Sequence, residues 1–294
     1  MRGKYMVFQR TLFRRVVIIG TGMIGGSIGL ALKKQKLAAH IVGVSRQEAS
    51  IKAAIEMGAI DEGSTDIRKV IGGADLVILA TPVKVIIENI QDISKNLRRG
   101  CIVTDVGSVK STIVETAQKC FPPHVLFVGS HPMAGIEKNG IANAREDLFK
   151  GAVCIMTPTD KTNRLARDKV KHFWTCLGME VRMMDPDQHD EILAYISHLP
   201  HLVAFGLMRV IPDDFLPHAS TGLKDTTRIA ASSSKLWGDI CFSNYRNILK
   251  ALDEQVKSLS EIRKAIVDKD ESALFVCFNQ ANAKRAELEK KTHG

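Results

Sequence analysis

Residues 15–30 read RVVIIGTGMIGGSIGL, and the order of residue types in that stretch decides the fold. Arg15 to Gly20 is a nearly continuous β-branched run, as a strand buried on both faces requires. It breaks into Gly20-Thr21-Gly22-Met23-Ile24-Gly25, after which Ile24, Ile28, Ala31 and Leu32 recur at helical spacing. In this strand–turn–helix setting the three glycines have separate tasks: Gly20 permits the tight turn, Gly22 lets the backbone approach a pyrophosphate, and Gly25 lets helix and strand pack closely. The helix start at Met23 and Ile24 offers free N–H groups and a positive dipole end to phosphates. The stretch reads as the phosphate-binding turn of a dinucleotide site.

Working outward, similar runs recur at Ile41 to Ser45, Asp75 to Ala80, Cys101 to Asp105, Val125 to Val128, Val153 to Met156 and Glu180 to Met184, separated by helical patterns. Apolar strands alternating with helices predict an α/β, Rossmann-type, doubly wound parallel sheet. After Asp185 the strand-like runs stop. Amphipathic patterns take over to Lys291, clearest over Asn247 to Val267, where Ile248, Leu252, Val256, Leu259 and Ile262 share one face. The reading divides the chain into a dinucleotide-binding domain, 1–185, and an all-α helical domain, 186–294.

Composition excludes several classes. The chain has 294 residues, 45% hydrophobic and 25% charged, which is ordinary for a soluble globular protein. No apolar run suggests a membrane span, and the basic start, Met1 to Arg15, lacks the apolar core of a signal peptide. Six cysteines without a C-x-x-C pair read as reduced residues, and the expected compartment is the cytoplasm. The net charge is +9, but the basic residues are scattered and aromatics are few. Such a field suits small polyanions, a dinucleotide or a dicarboxylate substrate, rather than nucleic acid.

The second strand should end where the adenosine ribose is read. A carboxylate there would bond the 2′-hydroxyl of NAD and repel the 2′-phosphate of NADP. This chain has Ser45-Arg46 and no acid before Glu48, so NADP is favoured over NAD. Thr81-Pro82 has the form of a loop passing beneath the cofactor.

Ligands on open α/β sheets lie at the carboxyl ends of the strands, and two such ends carry polar clusters. Residues 104–110 read TDVGSVK, and 129–138 read GSHPMAGIEK, which places His131 in a Gly/Pro-shaped loop on the cofactor side. The helical half supplies SHLPH at 197–201, where Pro200 predicts a kink, and KDTTR at 224–228, followed by Trp237.

Taken together these motifs resemble the prephenate dehydrogenase family, the prephenate/arogenate dehydrogenases of tyrosine biosynthesis. The resemblance runs from the glycine turn through TDVGSVK, GSHPMAGIEK, SHLPH and KDTTRIA. It implies a Rossmann domain followed by a helical domain that builds a homodimer. The reaction it implies is NAD(P)-dependent oxidative decarboxylation of prephenate, of arogenate, or of both. His131 matches the catalytic histidine, which takes the proton of the 4-hydroxyl. Ser108 matches the serine that bonds the same hydroxyl. Arg228 matches the arginine that holds a substrate carboxylate, and Glu137 and Trp237 match positions lining the pocket. His198 or His201 would face the substrate side chain, with His198 slightly favoured. Glu137-Lys138 looks like prephenate-using members and Ser45-Arg46 like NADP-using ones, so prephenate or dual use is expected. The β-hydroxyacid dehydrogenases share the plan, but they typically carry a catalytic lysine on the first long helix of the second domain, where this chain has His198 and His201. A non-catalytic dinucleotide sensor would have no use for Ser108, His131 and Arg228 together.

Overall fold

In the computed structural model, which describes residues 11–134 and 140–292, alternating apolar residues divide the first half into a sheet with helices on both faces. In chain order these are β1 (Phe13–Ile19), α1 (Met23–Lys34), β2 (Ala38–Val44), α2 (Glu48–Glu56), β3 (Glu62–Ser64), α3 (Ile67–Ile71), β4 (Leu76–Leu79) and α4 (Val83–Ile93). There follow β5 (Ile102–Asp105), α5 (Ser111–Cys120), β6 (Leu126–Pro132), β7 (Val153–Thr157), α6 (Arg164–Cys176) and β8 (Glu180–Met183).

The eight strands lie in the order β3-β2-β1-β4-β5-β6-β7-β8. The order reverses between β1 and β4, and the crevice outside their carboxyl ends is where such sheets bind nucleotides. The strand β3 is additional to the seven that the sequence predicts. It is three residues long, Glu-Gly-Ser, and carries no β-branched residue to announce it.

Strand side chains alternate between two cores. Val16, Ile18, Ile41, Leu76 and Ile78 face α1, α2 and α6, through Ile28, Leu32, Ile51, Phe173 and Trp174. Val17, Ile19, Val42, Val77 and Leu79 face the other side, with Val70 of α3, Ile86 and Ile90 of α4 and Ile113 of α5. Burial on both faces is why these strands read as continuous apolar runs.

The sheet is not wholly parallel. β6 and β7 run antiparallel, with His131 opposite Ile155 and Pro132 opposite Cys154. Between them the described residues hold a single 3₁₀ turn (Ile141–Asn143) in place of a crossover helix, and without that helix the chain returns alongside itself. One consequence corrects the sequence reading: His131 lies within β6 and not in a loop, because the ladder to β7 extends that strand.

Beyond β8 the chain is helical. It forms α7 (Pro186–Leu193), a π-turn (Ala194–His198), α8 (Leu199–Val210), α9 (Thr221–Thr227), α10 (Ser234–Ser243), α11 (Tyr245–Asp268) and α12 (Glu271–Thr292). Asp185 caps α7 by accepting from the N–H groups of Asp187 and Gln188, with Pro186 in the first turn. Residues 186–210 make one helix that is long and apolar enough to pass as a membrane span by length and composition. It also buries His189, Asp190 and His198, and buried ionisable groups mark it as a site-building helix. Pro200, which has no N–H to donate, stands two residues past the end of the π-turn. The helix absorbs the missing bond by widening one turn.

Two compact units emerge, residues 1–245 and 246–294. The first keeps α7 to α10 with the sheet, since α7 packs on α5, α10 packs on α4, and Trp237 and Ile240 join one of the two cores. The second consists of most of α11 together with α12, and exposes Val256, Leu259, Ile266, Val267, Phe275 and Phe278.

Candidate active site

The glycine turn sits where β1 feeds α1, anchored by Gly20 N–H donating to Val44 O (2.8 Å) and Ala80 N–H donating to Ile19 O (2.7 Å). Gly20 has φ +101°, and a Cβ there would lie 2.5 Å from Ala80 O. At Gly25 a Cβ would come within 1.9 Å of Gly20 O, whereas at Gly22 it would meet no protein atom within 4 Å. Two glycines are thus required by protein packing, whereas Gly22 faces open space in the lining of the cleft. No side chain caps α1, and its first turn carries no acid.

A cavity of about 680 Å³ opens beside this turn, lined among others by Gly20, Thr21, Gly22, Ser45, Arg46 and Asn89. Thr21 Oγ1 is buried on its wall without a hydrogen-bond partner among the described residues. An uncapped helix end, an orphan hydroxyl and a wall that leaves Gly22 clear fit a dinucleotide. Ser45 is half-buried and Arg46 exposed at the ribose end, joined by Arg68. The structure also brings Asp66 to this rim, an acid the sequence reading did not place there. Its carboxylate is engaged in capping α3 through Arg68 N–H (3.0 Å).

A second cavity, about 470 Å³, shares Gly22, Ala80, Thr81, Pro82 and Gly140 with the first. It is also lined by Ser108 and His131, with Met23, Ile24, Met133 and Leu236. Thr81-Pro82 therefore forms the floor common to both cavities. Ser108 follows β5 and His131 is the penultimate residue of β6, so the topology brings the two polar strand ends to one cavity.

Behind His131 lies a network of buried polar groups. His131 Nδ1 is 2.9 Å from His189 Nε2, and His189 Nδ1 is 2.7 Å from Asp190 Oδ1. Asp190 accepts from the N–H groups of Lys110 (2.7 Å) and Ser111 (2.9 Å), and so caps α5 from a neighbouring helix. Lys110 is fully buried, pairs with Asp105 and donates from Nζ to Ser130 O (2.8 Å). Burial would raise the Asp190 carboxyl, but His189 and the two amides outweigh it and hold it below its ordinary value. Burial first, then His189, Lys110 and His198, pushes the His131 imidazole well below its usual range. Burial likewise depresses His189, against the pull of Asp190.

His198, at the end of the π-turn, is 1% exposed, and its Nδ1 lies 3.2 Å from Asn244 Nδ2. Burial takes it down to about 4. His201, half-buried, donates from Nδ1 to Ser197 O (2.9 Å) and stacks on Trp237 with ring centroids 3.7 Å apart. Trp237 thus packs in a core and against both histidines at once. Arg228 is exposed on a 3₁₀ turn against α8, away from the linings of the two cavities. Glu137 lies outside the described residues. The residues that the sequence reading missed are His189, Asp190, Lys110 and Asn244. Lys110 closes the TDVGSVK motif without announcing its role, and for the others the dipeptide His189-Asp190 in the first turns of a capped helix was the signal, which says nothing of position 131.

These neutral histidines make stability depend on acid. Below about 6.5 the unfolded chain takes up protons that the folded protein refuses. Stability is therefore complete above 6.5 and is lost as pH falls. For His198 the window runs from 6.5 to about 4 and is worth about 3 kcal/mol at its foot. Asp190 also favours the folded state, but loses its effect only below its ordinary 3.8. Denaturant midpoints measured between pH 7 and 4.5 should fall steeply in the native chain and less in His198→Asn; parallel slopes would contradict the assignment.

Comparison with known proteins agrees with this geometry. Residues 28–183 match the family described as prephenate dehydrogenase, nucleotide-binding domain, and residues 185–280 match prephenate dehydrogenase, dimerization domain. A prephenate dehydrogenase of Bacillus subtilis is 34% identical over 95% of this chain and 77% of its own length. A cyclohexadienyl dehydrogenase of Zymomonas mobilis is 30% identical over 95% and 97%. The crystal structure of prephenate dehydrogenase from Aquifex aeolicus, in complex with hydroxyphenyl propionate and NAD+, superposes with a TM-score of 0.86 at 34% identity, covering 94% of this chain and 98% of that one. With a glycine turn shaped for a dinucleotide and a histidine at the far end of its cleft, the chain belongs to the prephenate dehydrogenase family of NAD(P)-dependent oxidoreductases.

Proposed function

We propose that this chain oxidatively decarboxylates prephenate, with arogenate as a second substrate, and prefers NADP to NAD. The observation that carries the reading is the pair Ser108 and His131 on the wall of the cavity that continues the dinucleotide cleft. A nicotinamide cofactor, when bound, supplies the hydride acceptor. Hydride leaves the carbinol carbon of the cyclohexadienol ring, and its 4-hydroxyl must shed a proton as it becomes a carbonyl. His131, kept neutral by desolvation and by the neighbouring His189 and Lys110, takes that proton. Ser108 bonds the same hydroxyl and orients it. The electron pair of the bond to the departing carboxylate enters the ring, which becomes aromatic as carbon dioxide leaves, and the phenolate oxygen takes the proton back from His131, so the protein chiefly positions and polarises.

The remaining site residues follow the family motif: Arg228 for a substrate carboxylate, His198 before His201 for the side chain, with Glu137 and Trp237 completing the pocket. Arg228 stands exposed in the single chain. The preference for NADP rests on Arg46 and Arg68 at the rim, with Asp66 committed to its helix. We further place the domain boundary at 185, the homodimer contact in the helical domain, and the enzyme in the cytoplasm. The apolar residues left exposed on α11 and α12 suit a partner surface.

The test is an assay of purified protein with prephenate or arogenate and with NAD or NADP, in all four combinations. The expected result is turnover with prephenate and a higher kcat/KM with NADP. A tenfold preference for NAD would overturn the cofactor assignment, and turnover with arogenate alone would overturn the substrate order.

A further inference from the structure

Among the described residues, the fully buried acidic, basic and imidazole groups that the proposed reaction leaves unused, Asp105, Lys110, His189 and Asp190, cluster in one place, behind His131. The chain His131, His189, Asp190 is assembled from two elements. His131 is the penultimate residue of β6, and His189 and Asp190 lie in the first turns of α7, which packs on α5. The hydrogen-bonding roles along this chain follow from one fixed end. Asp190 receives two backbone N–H donors, on Oδ1 and Oδ2, so it serves as an acceptor. His189 Nδ1, at 2.7 Å from Oδ1, must then carry a hydrogen and donate it. A neutral imidazole with a hydrogen on Nδ1 has a lone pair on Nε2. That lone pair faces His131 Nδ1 at 2.9 Å, so His131 Nδ1 must be the donor. His131 is left with its lone pair on Nε2, and its ring lines the cavity while His189 is wholly buried.

We propose that His189, fixed by Asp190, is a positioning residue that locks His131 in the tautomer with a bare Nε2, the form able to take the substrate's hydroxyl proton. The idea rests on the reading of His131 as the base. The same arrangement orients the ring, because the two imidazoles meet edge to face, with centroids 5.1 Å apart at 69°. When His131 accepts the proton on Nε2, its Nδ1 hydrogen bond to His189 remains, so the imidazolium forms without rearrangement. Asp190 belongs to the device twice over, since the same carboxylate caps α5 and orders the turn that carries Ser108.

The experiment compares the native chain with His189→Leu and His189→Gln, measuring kcat, KM for substrate and cofactor, and the nitrogen NMR signals of labelled histidine. Leucine removes the acceptor for His131 Nδ1–H, whereas glutamine restores one through its amide oxygen. The expected result is a kcat about 10- to 100-fold lower in His189→Leu, the usual effect of removing the partner that orients a functional histidine. KM should stay within about threefold, and most of the turnover should return in His189→Gln. The His131 signals should show hydrogen on Nδ1 in the native chain and in His189→Gln, and a tautomer mixture in His189→Leu. Unchanged kcat in His189→Leu would overturn the proposal, as would equal losses in both variants with KM rising in step. The NMR reading is independent of turnover. If neither prephenate nor arogenate is consumed, the functional reading fails, and the tautomer of His131 still decides this one. Hydrogen found on Nε2 of the native chain sinks it.

Discussion

Replacing His131 with Asn lowers turnover by about two to four orders of magnitude, the usual worth of a general base, and moves KM little. The loss corresponds to about 3 to 5.5 kcal/mol in the barrier. Asn suits the test because its amide N–H can still donate to His189 Nε2, as His131 Nδ1 does, while it lacks a lone pair at the position of Nε2. The fold behind the cavity therefore keeps its partner, and the variant removes only the proton acceptor. Kinetics across pH sharpen the result. Burial holds His131 neutral well below 6.5, so the native enzyme keeps its kcat/KM as pH falls through 6 and loses it only further down, whereas the variant shows no such acid limb. Full turnover in His131→Asn would remove this residue from the mechanism.

Gly25→Ala and Gly22→Val give the second large effect, and they should differ in kind. A Cβ at Gly25 would lie 1.9 Å from Gly20 O and 3.0 Å from Ile18 Cγ2, so α1 must move away from β1. Overpacking of this sort costs about 1 to 3 kcal/mol. Because the turn moves with it, dinucleotide affinity should fall by a similar amount, about 5- to 150-fold in Kd. Gly22 has nothing within 4 Å of its missing Cβ and lines both cavities. Valine there should leave Tm unchanged and still weaken the dinucleotide by filling the space it needs. Thermal unfolding together with a fluorescence titration of the cofactor separates the two. Equal losses of Tm, or undiminished affinity in Gly22→Val, would mean that the cleft is not where the dinucleotide lies.

The sequence carried the nucleotide half of this account almost entirely. Gly20, Gly22 and Gly25 are adjacent in the chain and act locally, so their spacing states their geometry. The strands were legible because burial on both faces leaves no polar residue in Val16 to Ile19 or Leu76 to Leu79. What local pattern does not convey is pairing across distance. The antiparallel return of β7 extends β6 through His131, a long-range event that the motif around position 131 does not encode. The support behind His131 was equally hidden, since His189 is 58 residues away and reads by itself as an ordinary helix residue. Pro200 signalled a disturbed helix correctly, but the relief takes the form of a π-turn ahead of it and leaves the helix continuous. Arg228 shows the limit from the other side: its motif is strong, yet in the single chain it stands exposed.

In the proposed reaction every hydride taken from the ring is matched by one molecule of carbon dioxide released. The direct test is to incubate the native chain with prephenate and NADP, measuring reduced nicotinamide and carbon dioxide in the same sample. Equal amounts of both are expected, with 4-hydroxyphenylpyruvate as the organic product. A chain that binds the dinucleotide tightly but reduces none of it with either cyclohexadienol, or that releases carbon dioxide without reducing it, does not carry out this reaction.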